Sequence, residues 1–84
     1  INQNATIGHD CIVEDFVNIS PGANISGYVN IGKYSFLGTN SSIVNGTADK
    51  RLIITKNTLI GAGSLILHSI TEPGTYVGSP AKKL

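Results

Sequence analysis

The chain has 84 residues and a mass of 8.8 kDa, room for one small domain. One cysteine, Cys11, excludes an internal disulfide, and with only two histidines a closed zinc site would need several carboxylates. Charged residues make up only 13%, and a net charge of +1 offers no footprint for nucleic acid or an anionic membrane.

A domain this short buries roughly 60% of the surface its unfolded chain exposes, so oligomerisation or a very regular architecture is expected. Asn, Ser, Thr and Gly supply 33 of the 84 residues, which makes the solvated surface polar but not ionic. The chain shows neither a signal-peptide pattern nor an apolar run of the roughly 18 residues a spanning helix requires. Its opening at Ile1 suggests a fragment or a processed product. Helix formers are scarce and isoleucine contributes 12 residues, so the composition predicts a β protein.

Read in sixes from Ile1, the chain places Ile, Val or Leu at positions 1, 7, 13, 19, 25, 31, 37 and 43. Chance gives such a run roughly one time in several thousand. The fifth positions, from Ala5 and Cys11 through Thr47, are small or β-branched. After Ala48 the phase slips by five residues, read as Asp49 to Ile53, and it resumes at Ile54, Ile60 and Ile66. Gly46 to Arg51 reads as an extruded polar loop, with the insertion near 46–53. The repeat thus covers residues 1–71, and residues 72–84, which contain Pro73-Gly74 and Pro80, form a C-terminal cap.

One large and one small residue every six fits one flat face of a triangular solenoid, with three hexads per 18-residue coil. Successive coils stack as parallel strands about 4.8 Å apart. Residues 18 apart then share an edge of adjacent coils, which puts His9 beside Gly27. A neutral imidazole next to a main-chain N–H without a side chain in the way pairs a general base with an oxyanion donor. The alternatives are an exposed turn histidine and a glycine that serves a left-handed turn. Asp10 either orients the imidazole or is an ordinary acidic turn residue. With the insertion removed, Thr39 and Ala62 share another stacked position. Cys11 falls at a fifth position and reads as core, and His68 reads as surface. Five Asn-X-Ser/Thr triplets arise from composition and are not read as glycosylation sites.

The run Ile7-Gly8-His9-Asp10-Cys11-Ile12, followed by Ser20-Pro21-Gly22 and Ser26-Gly27, resembles the hexapeptide-repeat acyltransferases. Within that family it is similar to the bacterial sugar acetyltransferases, of the sialic acid O-acetyltransferase and UDP-4-amino-sugar N-acetyltransferase type. The tail Gly78-Ser79-Pro80-Ala81-Lys82 resembles their closing signature, so the likeness spans the chain. The resemblance implies an all-β, left-handed parallel β-helix of nearly four coils, and acetyl-CoA as cosubstrate without a metal. It also implies His9 as base assisted by Asp10, and Gly27 N–H on the thioester carbonyl. Pantetheine would pass Thr39 and Ala62, with Lys82 toward the CoA phosphates and Asn2 at the acceptor. Asn18 stands where many relatives carry a second site histidine, and it falls to the acceptor contacts. Gly8 stands where glutamate is frequent.

The family forms homotrimers with sites between adjacent subunits and carries an N-terminal acceptor-binding domain that has no counterpart in these 84 residues. The expected partners are therefore two further copies of the chain and a sugar acceptor, with no nucleic acid and no membrane, in a cytoplasmic setting. Attack on the thioester by a sugar amine or hydroxyl is the expected reaction. A catalytically inactive trimerisation scaffold is the alternative. A trimeric carbonic anhydrase would need three converging histidines, and an ice-binding solenoid would need a threonine ladder that the sequence lacks.

Overall fold

The computed structural model describes residues 3–84. The strands in chain order are β1 (Thr6–Ile7), β2 (Ile12–Val13), β3 (Asn18–Ile19), β4 (Asn24–Ile25), β5 (Val29–Ile31), β6 (Phe36–Leu37), β7 (Ser42–Ile43), β8 (Leu52–Ile54), β9 (Thr58–Ile60), β10 (Leu65–Ile66), β11 (Gly74–Gly78) and β12 (Ala81–Lys83). Through β10, every third strand joins the same sheet. The first sheet is β1-β4-β7-β10, the second β2-β5-β8, and the third β3-β6-β9-β11-β12. All pairings are parallel except β11 with β12. The result is a triangular parallel β-helix whose three edges are the corners between sheets.

The six-residue period has a direct physical cause. Ile7 pairs with Ile25, Ile25 with Ile43, and Ile43 with Ile66, so first positions stack down the axis. Ile25, Ile31, Leu37, Ile43, Ile54 and Ile60 are at most 2% exposed, and their burial supplies the main driving force for the fold. In the terminal coil Ile7 is half-buried and Val13 exposed, because their side chains meet another coil on one side only. The fifth positions Ala23, Val29, Ser35, Ser41, Thr58 and Ser64 are buried at the corners. Their hydroxyls are satisfied by main-chain carbonyls: Ser41 Oγ donates to Gly38 at 2.7 Å and Thr58 Oγ1 to Thr55 at 2.8 Å.

Corners turn through the fourth position of the hexad. Asn4, Asp10, Phe16, Tyr28, Tyr34, Asn40 and Asn57 have φ between 57° and 62°, and Gly22 and Gly63 have 74° and 69°. Asn and Asp tolerate this left-handed conformation, whereas Phe16, Tyr28 and Tyr34 occupy it against their own preference.

The insertion lies two residues earlier than the sequence phase suggests. Leu52 pairs with Val29 and Ile53 with Asn30, so both belong to β8 and the extra residues are 47–51, not 49–53. The five residues close on themselves, with Thr47 N–H on Lys50 C=O and Lys50 N–H on Thr47 Oγ1, both at 2.9 Å. Residues 72–84 leave the six-residue spacing, yet β11 still adds to the third sheet in parallel. Only β12 turns back, and the Lys83 ammonium closes the hairpin on Glu72 at 3.0 Å.

Candidate active site

The edge between the first and second sheets carries the candidate site. It stacks His9-Asp10, Gly27-Tyr28, Asn45-Gly46 and, beyond the insertion, His68-Ser69. Because Ile7 pairs with Ile25, the His9 ring rests against Gly27. A Cβ built on Gly27 would lie 2.9 Å from His9 Nε2 and 3.0 Å from Cε1. Gly27 does not have a positive φ; its neighbour Tyr28 does, at 59°. The glycine is therefore required here by space and not by the turn. Gly8 is constrained more tightly still, since a Cβ there would meet Gly27 N at 2.6 Å, and this backbone has no room for a glutamate.

The imidazole is polarised along its length. Nδ1 faces Asp10 Oδ2 at 3.1 Å while Nε2 faces Gly27. With Nδ1–H donating to the carboxylate, the free lone pair falls on Nε2, the side a substrate can reach. Among the described residues the Gly27 N–H has no acceptor, although its carbonyl accepts from Gly46 N–H at 3.0 Å. An unspent main-chain donor beside a basic nitrogen can serve a developing oxyanion. Side-chain exposures of 72% for His9 and 60% for Asp10 leave this pair open to solvent on the single chain.

Three residues that sequence reasoning passed over complete the corner. The Tyr28 ring stands edge-on to His9, with centroids 5.0 Å apart and planes at 89°. The Arg51 guanidinium lies 5.6 Å over the Tyr28 ring, donates from Nε to Asn30 Oδ1 at 2.7 Å, and donates from Nη2 to the Asp10 carbonyl. Tyr28 was within reach of the 18-residue arithmetic, which stacks it on Asp10. Arg51 was not, because the conformation of an insertion does not follow the repeat. A groove of about 510 Å³ continues the edge beyond Arg51 and is lined by Asn45, Lys50, Leu67 and His68 among others.

The remaining expected site residues lie elsewhere on the chain. Thr39 and Ala62 do share an edge, and Gly63 N–H donates to Thr39 C=O at 2.8 Å, but that edge joins the third and first sheets. One chain therefore does not bring them to His9. Asn18 is exposed in β3, opposite Phe36, and Lys82 is exposed in β12, opposite Val77. Asn2 lies outside the described residues. Cys11 is half-buried against the core, with Sγ 3.1 Å from the Ser26 carbonyl, and so faces away from the imidazole corner. Among the described residues no three His, Cys, Asp or Glu converge as a metal site, and no helix is long and apolar enough to cross a membrane.

No protein-family model matches the chain. Over 78 residues it is 33% identical to a GDP-perosamine N-acetyltransferase of Escherichia coli O157:H7, a match covering 93% of this chain and 35% of the relative. Among solved structures it superposes on WeeI from Acinetobacter baumannii AYE with a TM-score of 0.96 and 37% identity, over 99% of this chain and 39% of that one. The acetyltransferase domain of PglB from Neisseria gonorrhoeae FA1090 gives a TM-score of 0.89 at 37% identity, over 99% and 38%, and has also been solved with acetyl coenzyme A. The chain thus spans between a third and two fifths of the length of these relatives.

The fold is a left-handed parallel β-helix, the same as in the solved structures it superposes on. Over the part of each relative that it matches, the chain is similar to a GDP-perosamine N-acetyltransferase and to the PglB acetyltransferase domain.

Proposed function

We propose that the protein transfers the acetyl group of acetyl-CoA to an amino group on a nucleotide-activated sugar destined for a surface glycan. The observation that carries this reading is the His9 ring seated on Gly27, with Nδ1 on Asp10 and the Gly27 N–H unspent. His9 Nε2 accepts a proton from the sugar amine as its nitrogen bonds to the thioester carbonyl carbon. Gly27 N–H donates to the carbonyl oxygen as it becomes negative. The C–S bond then breaks, and the proton held on Nε2 is available to the departing sulfur. General-base help of this kind is worth roughly 10²–10⁴-fold, and one oxyanion donor about 10²–10³-fold. The relative named as a GDP-perosamine N-acetyltransferase supports an amine acceptor over a hydroxyl.

A homotrimer fits this reading. Thr39 and Ala62 on one chain and His9 on the next would then face a common groove, with Lys82 toward the CoA phosphates and Asn2 and Asn18 toward the acceptor. Exposed apolar side chains on the second and third sheets, among them Ile12, Phe36 and Leu59, supply surface for such packing. A cytoplasmic location follows from the use of acetyl-CoA. The test is His9→Ala: turnover should fall by about 10²–10⁴-fold while calorimetric binding of acetyl-CoA persists. Turnover near wild type would overturn the assignment of the base. A trimer that binds no acetyl-CoA would leave a scaffold in its place.

A further inference from the structure

We infer that Arg51, delivered by the five-residue insertion, is a positioning residue for the His9-Asp10 pair; the inference rests on the reading of His9 as the base. An adjacent carboxylate and imidazole, exposed to this degree, hold each other weakly because water competes for both. Asp10 sits at the φ of 58° common to the corners, a conformation aspartate tolerates, so the backbone angle does not itself fix the carboxylate. Something beyond the pair must fix the direction in which the carboxylate points.

Arg51 is placed to do so. Its Nη2 donates to the Asp10 carbonyl and its Nε to Asn30 Oδ1 at 2.7 Å, so the planar fork bridges two successive coils. The same guanidinium covers Tyr28, whose ring packs perpendicular to that of His9. The residue that follows the insertion secures the next corner as well, because Leu52 N–H donates to Tyr28 C=O at 3.0 Å. On the edge between the second and third sheets the equivalent carbonyls of Phe16, Tyr34 and Asn57 accept no hydrogen bond among the described residues. The carbonyls that carry the turn are thus clamped on the His9 edge and free on its neighbour. The insertion interrupts the repeat one coil beyond Gly27, and its last residue reaches back two coils to the pair that orients the base.

Nitrogen-15 spectra of the His9 ring, recorded at one pH on the whole protein, test the clamp independently of turnover. Asp10→Asn sets the scale of the shift when the carboxylate is lost. Arg51→Ala is expected to move the His9 signals by most of that amount, and Asn30→Ala, which keeps the charge but frees the fork, by less in the same direction. Far-UV circular dichroism and Tm establish that each variant is folded. With acetyl-CoA and a nucleotide-linked 4-amino sugar as the acceptor probe, Arg51→Ala should lower kcat about tenfold and leave the KM for acetyl-CoA within about twofold. Arg51→Lys should recover less than half of the loss, because an ammonium cannot reach two acceptors as a fork does. His9 signals unchanged in folded Arg51→Ala, where Asp10→Asn moves them, would overturn the inference. So would full recovery by lysine. If the wild type itself does not turn over, the proposed function fails, and the spectra still decide the role of Arg51.

Discussion

Two edges of the prism answer the same stacking problem with glycine, and they do so for different reasons. Where the third sheet meets the first, a Cβ on Gly22 would collide with Asn40 Oδ1, and Gly22 has a φ of 74°. Glycine is needed there on two counts, and both are structural. Where the first sheet meets the second, Gly27 has no left-handed φ and yields space only to the His9 imidazole. Even the backbone links correspond, since Asn40 N–H donates to Pro21 C=O at 3.1 Å and Tyr28 N–H to His9 C=O at 3.0 Å. The repeat provides the same scaffold at both edges. In the proposed mechanism the base and the oxyanion donor lie at one of them, because the side chain that fills the glycine's space is an imidazole and the glycine's own N–H has no acceptor among the described residues.

Substitutions at these glycines would break the comparison if both edges were merely structural. The largest effect is expected from Gly27→Ala. The new methyl would meet the end of a mobile side chain, so the fold should survive while His9 is displaced from its seat. We expect kcat to fall by about 10²-fold, the scale of a misplacement near 1 Å, with little change in Tm. Gly22→Ala should show the reverse pattern. Strain at its φ and the clash with Asn40 should cost about 1–3 kcal/mol of stability, measured by denaturant unfolding, with activity per folded molecule retained. If Gly27→Ala lost stability and Gly22→Ala lost turnover, the distinction between the edges would be wrong. Lys82→Ala should act more weakly, raising the KM for acetyl-CoA a few-fold with kcat unchanged, about the size of one exposed charge contact.

The sequence carried the parts of the molecule that the repeat governs. Ile25, Ile43 and Ile66 stack because pairing in steps of one coil admits one kind of side chain at the axis, and that demand is visible as a period of six. The same arithmetic brought His9 to Gly27. It also paired Thr39 with Ala62, on an edge that His9 does not share. The insertion was harder to delimit. Leu52 fills a fifth position, where small residues are the rule, and so it read as loop although it is only 6% exposed. The left-handed corner residue was missed because the fourth positions vary from Asn and Asp to Phe and Tyr. Side-chain identity does not announce a backbone angle that coil stacking imposes. Arg51 lies outside any periodic rule, and only the folded loop shows what it touches.

The smallest effect belongs to the ion pair that closes the hairpin at the end of the stack. Lys83 is bonded to Glu72 at 3.0 Å, and that hydrogen bond and charge raise its pKa above the ordinary lysine value. A lysine raised in this way contributes stability that is fully present below its unfolded pKa and is lost as pH rises through the folded one. The contribution should therefore be constant across neutral pH and disappear only in strongly alkaline solution. Both side chains are well exposed, so water screens the pair and its size is small. Glu72→Gln should leave Tm at pH 7 within the error of calorimetry and leave transfer unchanged. Any small difference from wild type should close as pH is raised beyond the ordinary lysine range. A large loss of Tm at neutral pH would mean that the hairpin holds the last coil through this pair, instead of through the β11 ladder to β9 and the Tyr76 hydroxyl, which donates to the Glu72 carbonyl at 2.7 Å whatever the side chain at 72.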